Sequence, residues 1–238
     1  MSNSPLVSYT KLSPNHSGQR THVVDRITPH CVVGQCSVET LGNIFAPTSR
    51  QASCQYGIGV DGRVGMYVEE KNRSWCSSSN ANDQRAITIE CASDATHPYA
   101  FNDTVYAKLI ELCTDICKRY GKTKLLWFGD KTKTLNYEPA SNEMVLTVHR
   151  WFANKSCPGD WMYARMGDLA SKVTAKLGGS AGGTEKPADN QALYRVQTGA
   201  FSNKTNADAM LQKVKAAGFD TYMVKVDNLY KIQVGAFS

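Results

Sequence analysis

EMVLTVHRWFANKSCPGDW, residues 143–161, holds three kinds of segment in nineteen positions. EMVLTVH has the apolar run of a buried strand and ends on His149. DWMYARMGDLASKVTAKLGG, starting at Asp160, sets Met162, Met166, Leu169, Val173 and Leu177 on one helical face and closes at Gly178. The loop between them brings His149, Lys155 and Cys157 within nine positions, with Pro158 and Gly159 directly after the thiol. Three readings fit this loop: a cysteine nucleophile with His149 as its base, a metal site using His149 and Cys157, or a Cys157 that is simply buried.

The same alternation of strand and helix extends backwards from the loop. THVVDRIT reads as a strand and SVETLGNIF as a short helix; SCQYGIGV and RVGMYVEE flank Asp61-Gly62, a pair that favours a tight hairpin turn. QRAITIECA and LLWF read as further buried strands. DTVYAKLIELCTDICKRYG carries a helical stripe of Val105, Leu109, Leu112, Ile116 and Tyr120 that ends at Gly121, and Cys113 and Cys117 sit within it as small core residues. The expected fold is α/β, a central mixed β-sheet flanked by helices, followed by a linker and a small α+β module.

With 238 residues the chain has room for one sizeable core and a smaller module. No apolar run reaches the roughly 18 residues of a membrane span. The N-terminus lacks an apolar stretch behind a basic start, so no secretory signal is expected and synthesis in the cytoplasm is. Eight cysteines scattered through so long a chain read mostly as free thiols. The net charge of +6 is moderate and dispersed, which suits weak attraction to a polyanion, nucleic acid or an anionic cell wall, without choosing between them.

Composition shifts at GGSAGGTEKPADN, residues 178–190, to the glycine, serine, alanine and proline of a linker. The expected division is 1–178, a linker over 179–192, and a module over 193–238. Within that module YRVQTGAFS (194–202) returns as YKIQVGAFS (230–238), identical at six of nine positions. The first copy leads into a helical segment with Ala207, Met210, Leu211, Val214 and Ala217 on one face, then the alternating strand TYMVKV. This tail resembles the SPOR family of peptidoglycan-binding modules, whose βαββαβ fold is a pseudo-duplication opened by such strands. The second repeat is incomplete, lacking the family's second helix and last strand.

A hydrolytic zinc site uses three protein ligands and leaves a fourth position for water. Besides His149 and Cys157, His30 in DRITPHCVVG is the best placed third donor, in an early strand just before Val32 and Val33. His16, His22 and His97 read as surface or hydrogen-bonded histidines. Cys31, beside His30, points to the opposite face of a regular strand. Glu90 in AITIECA shares a face with Thr88 while Ile87, Ile89 and Cys91 take the other, an unusual place for a carboxylate without a partner or a task.

These residues resemble the zinc-dependent N-acetylmuramoyl-L-alanine amidases of the amidase-2 and peptidoglycan-recognition-protein superfamily, particularly phage endolysins, over roughly positions 20–178. The family's late motif of histidine, then lysine two residues before a cysteine, matches His149, Lys155 and Cys157, and His30 matches its early ligand. Tyr56 in SCQYGIGV matches the family's tyrosine, and Glu90 the glutamate used by several phage members. The segment that precedes Thr21 matches no motif of the family.

The resemblance implies Zn²⁺ held by His30, His149 and Cys157, a water deprotonated by Glu90, and an oxyanion met by Lys155 or Tyr56. The implied substrate is the amide between N-acetylmuramic acid and L-alanine of bacterial peptidoglycan, which is also the expected wall ligand; no nucleic acid and no membrane insertion are expected. It further implies an endolysin that accumulates in a host cytoplasm and acts at the wall after release. Two other readings stay open at this point: a cysteine peptidase of wall peptides, and a recognition protein that binds peptidoglycan without cutting it.

Overall fold

The computed structural model describes residues 3–178, 194–217, 219, 221–226 and 228–237. The chain divides into two compact units, Met1–Glu185 and Lys186–Ser238. The expected linker lies outside the described residues.

In the first unit seven strands form one mixed sheet. They are β1 (Val7–Thr10), β3 (Arg26–Cys31), β4 (Tyr56–Ile58), β5 (Val64–Met66), β7 (Ala86–Cys91), β8 (Lys124–Leu126) and β9 (Glu143–Leu146), in the order β1-β5-β4-β7-β3-β9-β8. All neighbours are parallel except β4 and β5, the hairpin expected about Asp61-Gly62. A separate ribbon pairs β2 (His16–Gln19) with β6 (Asn72–Ser74).

Helices α3 (Asp103–Arg119) and α6 (Met166–Lys176) belong to the larger core, in which Ile27, Ile87 and Ile89 of the sheet meet Val105, Leu109, Leu112, Leu169 and Val173. Cys113 and Cys117 are buried in this core, as the stripe requires. A smaller cluster joins α1 (Val38–Phe45) through Leu41 and Phe45 to Cys54 and Tyr67. Ser37 caps α1, its hydroxyl accepting from the Thr40 amide.

Three features differ from the sequence expectation. Strand β9 stops at Leu146 and His149 opens a 3₁₀ turn, His149–Trp151. The alternation nevertheless persists through Val148, whose backbone stays extended, and the Arg150 amide donates to Cys157 O at 3.1 Å and folds the loop back on itself. The following helix is two pieces, α5 (Asp160–Tyr163) and α6, with Arg165 between them donating to Trp161 O. Two short capped helices, α2 (Asn80–Arg85) and α4 (Lys131–Asn136), carry too little apolar periodicity to be legible beforehand.

The N-terminal segment that precedes Thr21 is built into the fold. Strand β1 pairs in parallel with β5, and β2 pairs antiparallel with β6. Ser13 and Asn15 donate to Phe45 O and so satisfy a carbonyl at the end of α1.

The second unit runs β10 (Tyr194–Phe201), α7 (Lys204–Ala216), β11 (Thr221–Val226) and β12 (Leu229–Phe237), an antiparallel sheet of order β10-β12-β11. The two copies of the repeat are neighbours, with Gln197 opposite Gln233. Of the expected α7 stripe, Ala207 is buried while Met210, Leu211 and Val214 stay half-exposed beside an apolar groove that Val196, Phe219 and Val234 help to line.

Candidate metal centre

Register decides which side chains can meet. His30 lies directly opposite Glu90 in the parallel β3–β7 pair, so both project from the same sheet face, and Thr28 lies opposite Thr88 one step behind them. Just past the end of the neighbouring strand β9, Thr147 reaches Thr28 at 2.7 Å, and His149 follows two residues later. Asn82 of α2 joins Thr28 and Thr147, while Gln55 and Ser74 close around Thr88. A layer of satisfied buried polar groups therefore supports the reactive residues, and such layers rigidify what they carry.

Above this layer, donor atoms of His30, His149 and Cys157 all lie within 4.8 Å of one another. Cys157 Sγ is 3.2 Å from His30 Nδ1, and the two imidazoles stand 5.1 Å apart between centroids. Ser78 Oγ lies 3.0 Å from His149 Nε2, from a backbone with φ of 61°, a left-handed conformation uncommon outside glycine. Gly159 holds the other end of the loop: its φ is +85°, and a Cβ there would meet Pro98 O at 2.8 Å.

Burial sets the protonation of these groups. It holds His30 well below the usual imidazole range, with His149 adding repulsion, and it lowers His149 with help from the Lys155 cation. Both rings are thus the neutral form that can ligate a metal. Desolvation raises Glu90 to about 7, and its Oε2 is buried with no hydrogen-bond partner among the described residues. The Cys157 thiol is pushed well up by burial, then by Cys31 and Glu90. Two neutral imidazoles and one sulfur, beside an orphaned carboxylate oxygen, fit a borderline-soft divalent cation with an open position.

The cluster opens into a groove of about 540 Å³ lined by Phe45, Arg50, Arg73, Trp75, Lys155 and others. Lys155 is exposed at its edge.

Tyr56 requires a correction: the structure does not bring it to this cluster. It sits opposite Ile89, not Glu90, and so faces the α3 core. Its hydroxyl donates to Glu70 Oε1 at 2.5 Å and accepts from the Ser4 amide. Glu70 is in turn paired with Arg119 at 2.6 Å. Tyr56 does lie on a strand, as expected; only cross-strand register tells the two faces apart. The remaining histidines are where expected: His16 accepts from the Gly18 amide within β2, His22 is exposed, and His97 pairs with Asp160.

Residues 19–160 match the N-acetylmuramoyl-L-alanine amidase family, Amidase_2. The chain belongs to that family. Residues 190–238 match the SPOR domain. Among solved structures, PlyL is similar at 14% identity and a TM-score of 0.50, covering 69% of this chain and 95% of PlyL. The amidase LysC from Clostridium intestinale URNW is similar at 17% identity and a TM-score of 0.45, over 73% of this chain and 96% of its own. At such identities the PlyL likeness speaks for the fold alone. A curated relative, an uncharacterised protein of Aquifex aeolicus (strain VF5), is 45% identical over 49 residues, a stretch spanning 21% of each chain.

Several supporting residues of the site escaped the sequence reading: Cys76, Ser78, Asn82, Asp83 and Gln55. Cys76, Ser78, Asn82 and Gln55 act through contacts distant in sequence, to His30, His149, Thr28 and Thr88, which no local pattern announces, and Asp83 accepts from the nearby Cys76 and Ser77 amides. The one available signal was Ser79, a helix-capping residue ahead of Asn80.

Proposed function

We propose that this amidase hydrolyses the amide between N-acetylmuramic acid and L-alanine in bacterial peptidoglycan, with Zn²⁺ as its cofactor. The observation that carries this is the convergence of His30, His149 and Cys157, with Glu90 directly opposite His30. The three would hold the ion; when bound, it supplies a Lewis acid and an acidified water.

Glu90 is the general base. Its buried carboxyl titrates near neutrality because desolvation outweighs the Arg50 cation, which matches a group that takes a proton and returns it to the leaving amine. Lys155, which cannot ligate a metal as an ammonium, offers a cation to the oxyanion. Cys157 is poorly suited to act as a nucleophile, because its surroundings raise the thiol rather than favour the thiolate. SPOR membership supports peptidoglycan as a ligand of the second unit as well. All eight cysteines are unpaired, which supports folding in a reducing cytoplasm with action at the wall after release, in the manner of an endolysin.

The test is mass spectrometry of digested walls, which identifies the bond cut. Purified protein should release stem peptides with new L-alanine amino ends, lose this activity to EDTA and regain it with Zn²⁺. Cys157→Ser should lower both zinc content and turnover, since zinc prefers thiolate to hydroxyl. Full zinc and full activity in that variant would refute the ligand set; activity that survives EDTA and is abolished by iodoacetamide would move the reading to a cysteine peptidase.

A further inference from the structure

We propose that Cys76 is a positioning residue for the metal ligand His30: its sulfur accepts from Nε2–H and thereby holds the tautomer that presents Nδ1 to the ion. The inference rests on the zinc reading above and adds a residue to it.

His30 is 1% exposed, so neither ring nitrogen can rely on bulk water. A neutral imidazole carries one proton, and the nitrogen that binds a metal must be the other one. Nδ1 is the nitrogen beside Cys157, at 3.2 Å from its sulfur. The ring proton therefore belongs on Nε2, and the partner in place there is Cys76 Sγ at 3.4 Å. A metal-bound histidine ordinarily gives this proton to a carboxylate, a carbonyl or water; here a sulfur occupies the place. In its second contact Cys76 is the donor, its S–H pointing to Glu90 Oε1 at 3.9 Å. One side chain thus links a metal ligand to the proposed base.

The sulfur is held by its backbone. The Cys76 amide donates to Asp83 Oδ2 at 3.0 Å, and the Ser77 amide reaches the same carboxylate at 3.2 Å. Asp83 is only 3% exposed. On the other side of Cys76, the Trp75 amide donates to Ser53 Oγ at 3.1 Å and its indole to Ser17 Oγ at 2.6 Å. Such a clamped loop is what a supporting residue needs if it is to orient a ligand instead of following it. Cys76 also belongs to a second group of close donor atoms, His30, Cys76 and Glu90, so its being a ligand is the competing outcome that the experiment must separate.

The experiment compares the full-length wild type with Cys76→Val, Cys76→Ala and Cys76→Ser. Valine keeps the volume without an acceptor, alanine removes both, and serine restores an acceptor. Zinc affinity is read by competition with a chromophoric chelator, thiolate ligation by the sulfur-to-metal charge-transfer band of Co²⁺-loaded protein, and folding by circular dichroism. We expect Cys76→Val and Cys76→Ala to bind zinc about 10- to 100-fold more weakly. Cys76→Ser should recover most of that loss, and all four proteins should show the charge-transfer intensity of one thiolate. Zinc affinity within about twofold of wild type in a folded Cys76→Val or Cys76→Ala protein would overturn the proposal. So would a charge-transfer band that falls by about half, which would make Cys76 a ligand. Should the alanine variant not fold, valine and serine decide between them. A wild type that takes up no zinc would overturn the proposed function itself, a result distinct from normal uptake with indifferent variants.

Discussion

Glu90 and Tyr56 stand one residue apart in cross-strand register, and that single step separates the reacting face of the sheet from its core. Glu90→Gln should keep the fold and the zinc, because the amide is nearly isosteric with a carboxyl that burial already pushes toward its neutral form. Its turnover should fall by roughly 10² to 10⁴, the usual range for loss of a general base. Steady-state kinetics with zinc analysis checks this, and a near-normal rate would assign the base elsewhere. Tyr56→Phe should give the opposite pattern. It removes a hydroxyl that donates to buried Glu70, at a cost of roughly 1 to 3 kcal/mol in urea unfolding. The folded variant should retain wild-type kcat/KM; a large loss of kcat without loss of stability would return Tyr56 to the catalytic machinery.

At the scale of elements, the N-terminal segment forms a strap whose strands complete both β arrays of the first unit. Strand β1 covers the β5 edge, and a bare edge is a template for pairing with another chain. Asn3 and Ser4 bind Glu70 and Tyr56, and Ser17 accepts from Arg73 and Trp75 on the groove wall. Removing residues 1–18 should therefore lower the melting temperature by several degrees and promote aggregation, with loss of activity following from unfolding. Differential scanning calorimetry and light scattering would check it; an unchanged melting temperature would make the strap dispensable. The strap was legible only as a segment without a motif, since its short strands gain their meaning from the edge they meet.

At the scale of the whole molecule, the metal donors, the base and the groove all lie within Met1–Glu185. A chain ending at Glu185 should bind zinc and cleave a soluble muropeptide at close to the intact rate. It should lose lysis of whole walls, where a second wall-binding unit raises the effective concentration of the active site. The isolated second unit should self-associate, because α7 leaves Val196 and Phe219 more than half exposed, at 52% and 57%. Turbidity of intact walls against a muropeptide assay separates these outcomes; undiminished lysis by the shortened protein, or its failure to fold, would overturn the expectation.

The sequence by itself determined the α/β class, the two-part organisation and the loop HRWFANKSC, because hydrophobic period, glycine-rich composition and close residue spacing are local quantities. The same locality explains Glu90, a carboxylate visible against an apolar strand, and the tail repeat, whose copies prove to be sheet neighbours. Tertiary structure alone decided the rest. It set His30 opposite Glu90, turned Tyr56 into the core, brought Cys76 to within 3.4 Å of the distant His30 ring, and bound the N-terminal strap to two sheets. The physical reason is register. Strand identity follows from side-chain period, but which residues face one another depends on how strands align, and a shift of one residue would have exchanged the reacting face for the core.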